Sequence, residues 1–228
     1  MPDVVAAYKS VRQRADAAAK RAARDPAGVR ILSVTKKQPS ALINELLDAF
    51  GPDEVMLGEN YVQECKRKLP ELKFTPGLHL IGPLQRNKAK DAVKIFDVIE
   101  SVHSFELMQA LNQAAKGINK VQSIFLQVNV SRDLEKSGFD ESDLEVVFEN
   151  ITQLGNIKLC GFMTITRLYE EPEMARPDFK RLREIRERFG KVWSDPLELS
   201  MGMSSDFEIA IEEGASIVRI GTLIFGER

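Results

Sequence analysis

No apolar run in this sequence approaches the roughly 18 residues that a membrane span needs, and no signal-type apolar segment follows Met1. Cysteine is scarce. Cys65 and Cys160 stand far apart and fit neither a metal nor a redox spacing, which argues against a disulfide framework and points to a reducing cytoplasm. Neither sign of charge is in excess: 32 Lys+Arg face 34 Asp+Glu. With no basic stripe between aromatics, binding to nucleic acid or to an anionic membrane finds no support. His79 and His103 share no ligand spacing with a cysteine or carboxylate, so no metal site is expected. Linkers, low-complexity stretches and a Gly-x-Gly-x-x-Gly dinucleotide pattern are also missing.

What is present reads as an ordinary globular chain, 43% hydrophobic and 29% charged over 228 residues. Residues 3–24 carry Val4, Tyr8, Val11, Ala15, Ala18 and Ala22 at spacings of three and four, an amphipathic helix with a thin apolar stripe. Asp25-Pro26-Ala27-Gly28 stops it. From Arg30 onward, strand-like and helix-like segments alternate strictly. Strands are expected near 30–36, 54–60, 78–82, 97–102, 123–130, 157–165, 197–199 and 216–221. Helices fall between them, one opened by Pro39, one capped by Ser104, one carrying Val192, and one with the capping-box pattern Ser205-Asp206-Phe207-Glu208. About eight such units predict one (β/α)8 TIM-type barrel over residues 1–228, with residues 1–28 packed on it as an extra N-terminal helix.

In the first strand Leu32, Val34 and Lys36 share one face, and Ile31, Ser33, Thr35 and Lys37 the other. Lys36 therefore extends an apolar line to the C-terminal strand end, where α/β barrels keep their chemistry. A desolvated amine there can condense with a carbonyl; a solvated lysine is the plain alternative. Ser200-Met201-Gly202-Met203-Ser204-Ser205 after the seventh strand and Gly221-Thr222 after the eighth offer hydroxyls and backbone N–H groups for an anion. Barrels often hold phosphate between these two loops. Arg219, set among Ile217, Val218 and Ile220, needs an acceptor: a carboxylate of a neighbouring strand, a ring nitrogen or a substrate carboxylate. Gln127 and Asn129 share a strand face and mark a site rim. Spacing alone leaves two ligands open, pyridoxal phosphate and a sugar phosphate on a Schiff-base aldolase.

Several motifs run in one family's order across nearly the whole chain. They are Val34-Thr35-Lys36-Lys37-Gln38-Pro39, Gly58-Glu59-Asn60-Tyr61, His79-Leu80-Ile81-Gly82-Pro83-Leu84-Gln85-Arg86-Asn87-Lys88, and Lys136-Ser137-Gly138. Gln127-Val128-Asn129, Gly161-Phe162-Met163, Leu199-Ser200-Met201-Gly202-Met203-Ser204, and Val218-Arg219-Ile220-Gly221-Thr222 with Phe225-Gly226 complete the set. With these motifs the chain resembles the pyridoxal phosphate homeostasis proteins, the alanine racemase N-terminal-domain-like or proline synthetase co-transcribed family. Thr35 departs from the usual Ser or Ala, and Lys37 stands as a second lysine beside Lys36.

The resemblance implies a fold-type III barrel holding pyridoxal 5′-phosphate as a Schiff base on Lys36. It implies phosphate contacts from Ser200, Met203, Ser204, Gly221 and Thr222, Arg219 at the pyridine nitrogen, and Asn60 near the ring. It further implies a cytoplasmic, monomeric carrier or regulator of the cofactor without established turnover, with PLP-dependent apoenzymes as possible recipients. An amino-acid racemase of the alanine racemase type is the alternative. Such racemases add a C-terminal β-domain, whereas this sequence stops at Arg228, so the carrier is the expectation.

Overall fold

The computed structural model describes residues 3–75, 77–133 and 135–227, so the extreme ends of the expected 1–228 span lie outside the described residues. The chain opens with α1 (Val4–Arg21), whose N-cap Asp3 accepts the Ala6 N–H at 2.9 Å. Val4, Tyr8, Val11, Ala15 and Ala18 are buried, as their spacing predicts, together with Ala19. The helix stops three residues before Arg24. Ala23 turns left-handed at φ 53°, and the Arg24 N–H reaches back to the Ala19 carbonyl, which closes the last turn.

Eight parallel strands then close a barrel in chain order. They are β1 (Arg30–Val34), β2 (Met56–Glu59), β3 (Leu78–Leu80), β4 (Val98–Val102), β5 (Gln122–Gln127), β6 (Ile157–Met163), β7 (Glu198–Ser200) and β8 (Ile217–Ile220). The helices between them are α2 (Ser40–Phe50), α3 (Val62–Lys68), α4 (Ala89–Ile95), α5 (Phe105–Lys116), α6 (Leu144–Ile151), α7 (Arg176–Phe189) and α8 (Phe207–Glu212). After β8 the described residues add the four-residue α9 (Thr222–Phe225). The N-terminal α1 packs against α2, α8 and α9 on the outside of the barrel. Arg24 fastens it there by donating to the Ala215 carbonyl at 2.9 Å.

Several boundaries differ from the sequence pattern, each for a local reason. β1 ends at Val34, because the Thr35 carbonyl accepts the Gln38 N–H and turns the chain before Lys36. Pro39 is the N-cap of α2 rather than its first residue. Ser205 caps nothing: α8 starts at Phe207, and Asp206 spends its carboxylate on the Met203 N–H. Val192 lies beyond the end of α7 and is exposed. Ser104 does cap α5, accepting the Leu107 N–H at 3.2 Å.

Outward-facing strand residues and inward-facing helix residues form one large apolar layer, in which Phe148, Phe162 and Phe189 stack beneath Trp193. A smaller cluster of Leu32, Val34, Ile81, Phe125, Met163 and Ile217 fills the lumen. Gly161 sits where the β5–β6 register shifts, and a Cβ there would stand 2.1 Å from the Glu198 carbonyl oxygen of β7. Gly161→Ala is therefore expected to destabilise the barrel by about 1–3 kcal/mol or more. Gly155→Ala, where a Cβ meets nothing within 4 Å, is expected to stay within about 0.5 kcal/mol of the parent. Urea denaturation midpoints of the two variants check this.

Candidate functional site

Period-two alternation in β1 sends Leu32 and Val34 into the lumen and Ile31 outward against the helices. Lys36, two residues past the strand, continues the inward line and with Val34 lines a cavity of about 810 Å³ at the C-terminal mouth. That volume lies inside the roughly 300–1,000 Å³ usual for small-molecule sites. Lys37 is exposed and lies outside the lining. β8 runs beside β1 with Arg219 opposite Leu32, so strand pairing brings Arg219 to the same cavity.

The remaining walls come from strand ends. Asn60 follows β2; Met203, Ser204 and Ser205 follow β7; Gly221, Thr222 and Leu223 follow β8. Of the residues the sequence singled out for the cofactor, Lys36, Asn60, Met203, Ser204, Arg219, Gly221 and Thr222 line the cavity, and Ser200 does not. Ser200 is fully buried on β7, where its hydroxyl donates to Glu100 Oε2 at 2.5 Å and accepts from Arg219 Nη1 at 2.9 Å. The Met203 N–H is also already used, donating to Asp206 Oδ1 at 2.6 Å. Gln127 and Asn129 do not line the cavity: Gln127 holds the Ser137 carbonyl and Asn129 the Asp133 carbonyl.

In place of the neighbouring-strand carboxylate that the sequence offered as one acceptor, Arg219 meets the Ser200 hydroxyl and the Thr164 carbonyl, with Glu100 behind Ser200. Glu100 on β4 has no exposed surface, and its second oxygen takes His79 Nδ1 at 2.6 Å. A chain of polar contacts thus crosses the lumen from β3 through β4 and β7 to β8. Arg219 Nη2 donates to the Thr164 carbonyl at 2.6 Å, which leaves the rest of its guanidinium for the cavity. The missed signal was a lone acid inside the apolar strand Val98-Ile99-Glu100-Ser101-Val102, the mirror image of Arg219 in β8.

The chain is similar to known proteins over nearly its whole length. Residues 8–228 match the family model described as alanine racemase, N-terminal domain. The pyridoxal phosphate homeostasis protein of Aquifex aeolicus is 40% identical over 220 residues, which span 96% of this chain and 95% of that protein. The chain belongs to the pyridoxal phosphate homeostasis protein family. PipY of Synechococcus elongatus, solved with PLP bound, superposes at a TM-score of 0.80 with 34% identity, over 93% of this chain and all of that one. Alanine racemase from Clostridium difficile shares the fold, with a TM-score of 0.71 and 16% identity, over 95% of this chain and 60% of the racemase.

The residues of this homeostasis-family site fit the cofactor in kind. They supply an amine for an aldehyde, a fixed guanidinium for a ring nitrogen, and hydroxyls and N–H groups for a phosphate. Asn60 Oδ1 is buried without a hydrogen-bond partner, an amide awaiting one. Burial raises the pKa of Glu100. The hydrogen bond from His79, its charge and that of Arg219 outweigh this and hold the carboxyl below its ordinary value. Burial also pushes Arg219 down, but Glu100 and Asp206 oppose it, and a guanidinium stays cationic.

Removing one partner of this lumen network strands the other. Glu100→Leu is expected to cost about 3–5 kcal/mol, and Glu100→Leu with Arg219→Met less than the sum of the two single changes. Because the folded pKa of Glu100 is depressed, its contribution is complete above the ordinary value of 4.5 and is lost as pH falls through the lower folded value. The stability gap between parent and Glu100→Leu should accordingly narrow below about pH 4.5 in acid titrations followed by circular dichroism.

Proposed function

We propose that this chain carries pyridoxal 5′-phosphate on Lys36 and serves intracellular homeostasis of the cofactor, holding and releasing it without turning over a substrate. One observation carries the reading: a single cavity gathers the Lys36 amine, the Arg219 guanidinium and the polar loops after β7 and β8. The PLP-bound PipY structure supports the identity of the ligand. The cofactor supplies an aldehyde for condensation with amines and a ring that withdraws electrons.

The chain's own residues determine what becomes of that chemistry. Lys36 would hold the cofactor, supplying the amine that its aldehyde requires. Ser204, Ser205, Gly221 and Thr222 are placed to hold the phosphate. Met203 contributes wall rather than its N–H group, and Ser200 acts through Arg219 rather than on the phosphate. Arg219 can only donate to the ring nitrogen, and its charge disfavours a proton there, which weakens the ring as an electron sink.

Racemisation needs a proton removed from one face and returned to the other. Among the described lining residues, the titratable groups besides Lys36 and Arg219 reduce to Glu227, which is exposed. This supports a carrier over a racemase. No helix among the described residues is long and apolar enough to cross a membrane. We place the protein in the cytoplasm as a monomer that delivers cofactor to apoenzymes. The free thiols of Cys65 and Cys160 support the location.

Purified protein mixed with pyridoxal phosphate is expected to show a Schiff-base absorption that borohydride abolishes, with the reduced adduct mapped by mass spectrometry to Lys36. Lys36→Ala should lose that adduct. Label mainly on Lys37, or steady racemisation of alanine or serine at ordinary enzyme turnover, would overturn the reading.

A further inference from the structure

Behind the cavity, on the outer side of the barrel wall, lies a buried lysine that the cofactor site does not use. Lys68 at the end of α3 is 8% exposed. An ammonium has three donors, and here all of them are engaged. Lys68 Nζ donates to the Thr35 carbonyl at 2.6 Å, to Glu59 Oε1 at 2.9 Å and to Glu64 Oε1 at 2.7 Å. Glu59 Oε1 also accepts from the Thr35 hydroxyl at 2.7 Å. The Glu64 oxygen that meets Lys68 accepts the backbone N–H of Lys37 as well.

The peptide groups on both sides of Lys36 are therefore held by one ion pair. Lys68 takes the carbonyl that precedes Lys36, and Glu64 takes the N–H that follows it. The turn needs such support, since Lys37 is a side-chain-bearing residue at φ 59°, in the left-handed region. The Thr35–Gln38 hydrogen bond at 3.0 Å closes that turn from within, but it does not tie the turn to the barrel. α3 does so through Lys68 and Glu64.

We infer that Lys68 and Glu64 are positioning residues for Lys36: their ion pair clamps the turn 35–38 and so aims the Lys36 amine into the cavity. The inference rests on the proposal that Lys36 carries the cofactor. A cluster that merely glued α3 to the barrel would affect stability alone. A clamp on Lys36 also governs how readily its amine reaches an aldehyde.

The test uses full-length Lys68→Met, which keeps the stem and removes the ammonium, and Glu64→Gln, which keeps an acceptor for the Lys37 N–H. Each is compared with the parent for pyridoxal phosphate affinity, for the fraction of bound cofactor that borohydride traps on Lys36, and for melting temperature. Lys68→Met is expected to lose affinity by about tenfold or more, the usual scale for residues that orient a binding group, with a smaller fraction trapped. Glu64→Gln should fall between it and the parent, and it serves alone if Lys68→Met does not fold.

Amide hydrogen exchange at residues 35–38 of the cofactor-free proteins reads the clamp without the ligand and should quicken in both variants. Parent protein that takes no cofactor on Lys36, yet shows faster exchange in the variants, would refute the functional reading and leave the clamp standing. Variants with lower melting temperatures but the parent's affinity, trapped fraction and exchange would refute the clamp.

Discussion

The constraint beneath everything else is the two-residue alternation of strands in a closed barrel. A barrel has no free edge, so each inward side chain meets the lumen and each outward one meets a helix. Neighbouring residues in the chain therefore serve separate chemistries. Asn60 faces the cavity, while Glu59 beside it faces α3 and Lys68. Lys36 faces the cavity, while Thr35 before it bonds Glu59. A slip of one residue in β1 or β2 would exchange the two sets. Closure also puts β8 beside β1, which is how residues 36 and 219 come to share one wall.

Two kinds of side chain share the lumen. One part is the apolar cluster of Leu32, Val34, Ile81, Phe125, Met163 and Ile217, and the other is the polar chain His79, Glu100, Ser200 and Arg219. An ion pair at such depth gains little net stability, because desolvation offsets the attraction. Its value lies in placement. With two nitrogens committed to Ser200 and Thr164, the Arg219 guanidinium cannot swing, and a fixed cation faces the cavity. Ser200 is thus part of the apparatus that orients Arg219, a different task from the phosphate contact that family resemblance implies.

The helix ring shows the same economy. Among the described residues, β8 is followed by the four-residue α9, whose start belongs to the cavity wall. The alanine-rich α1 packs beside α9 on the outside of the barrel. Small side chains on its buried stripe allow close approach to α8 and α9, and Arg24 ties its end to the carbonyl of Ala215.

Much of this was legible in the chain itself. Periodicity alone separates strands from helices and counts eight units. The parity of Leu32 and Val34 distinguishes Lys36 from Lys37, and the Ser/Gly loops mark the cavity end of the barrel. These features depend on residues within a few positions of one another, and local sterics and side-chain direction suffice to set them. Element ends were less legible, because a turn such as Thr35–Gln38 or a left-handed Ala23 depends on hydrogen bonds that composition does not reveal. Only closure of the barrel decided that Ser200 would meet Glu100, 100 residues away, and that Lys68 of α3 would reach the Thr35 carbonyl. A buried polar group must find a partner, but which one it finds depends on the strand register and on where the helices dock. Both are properties of the assembled barrel.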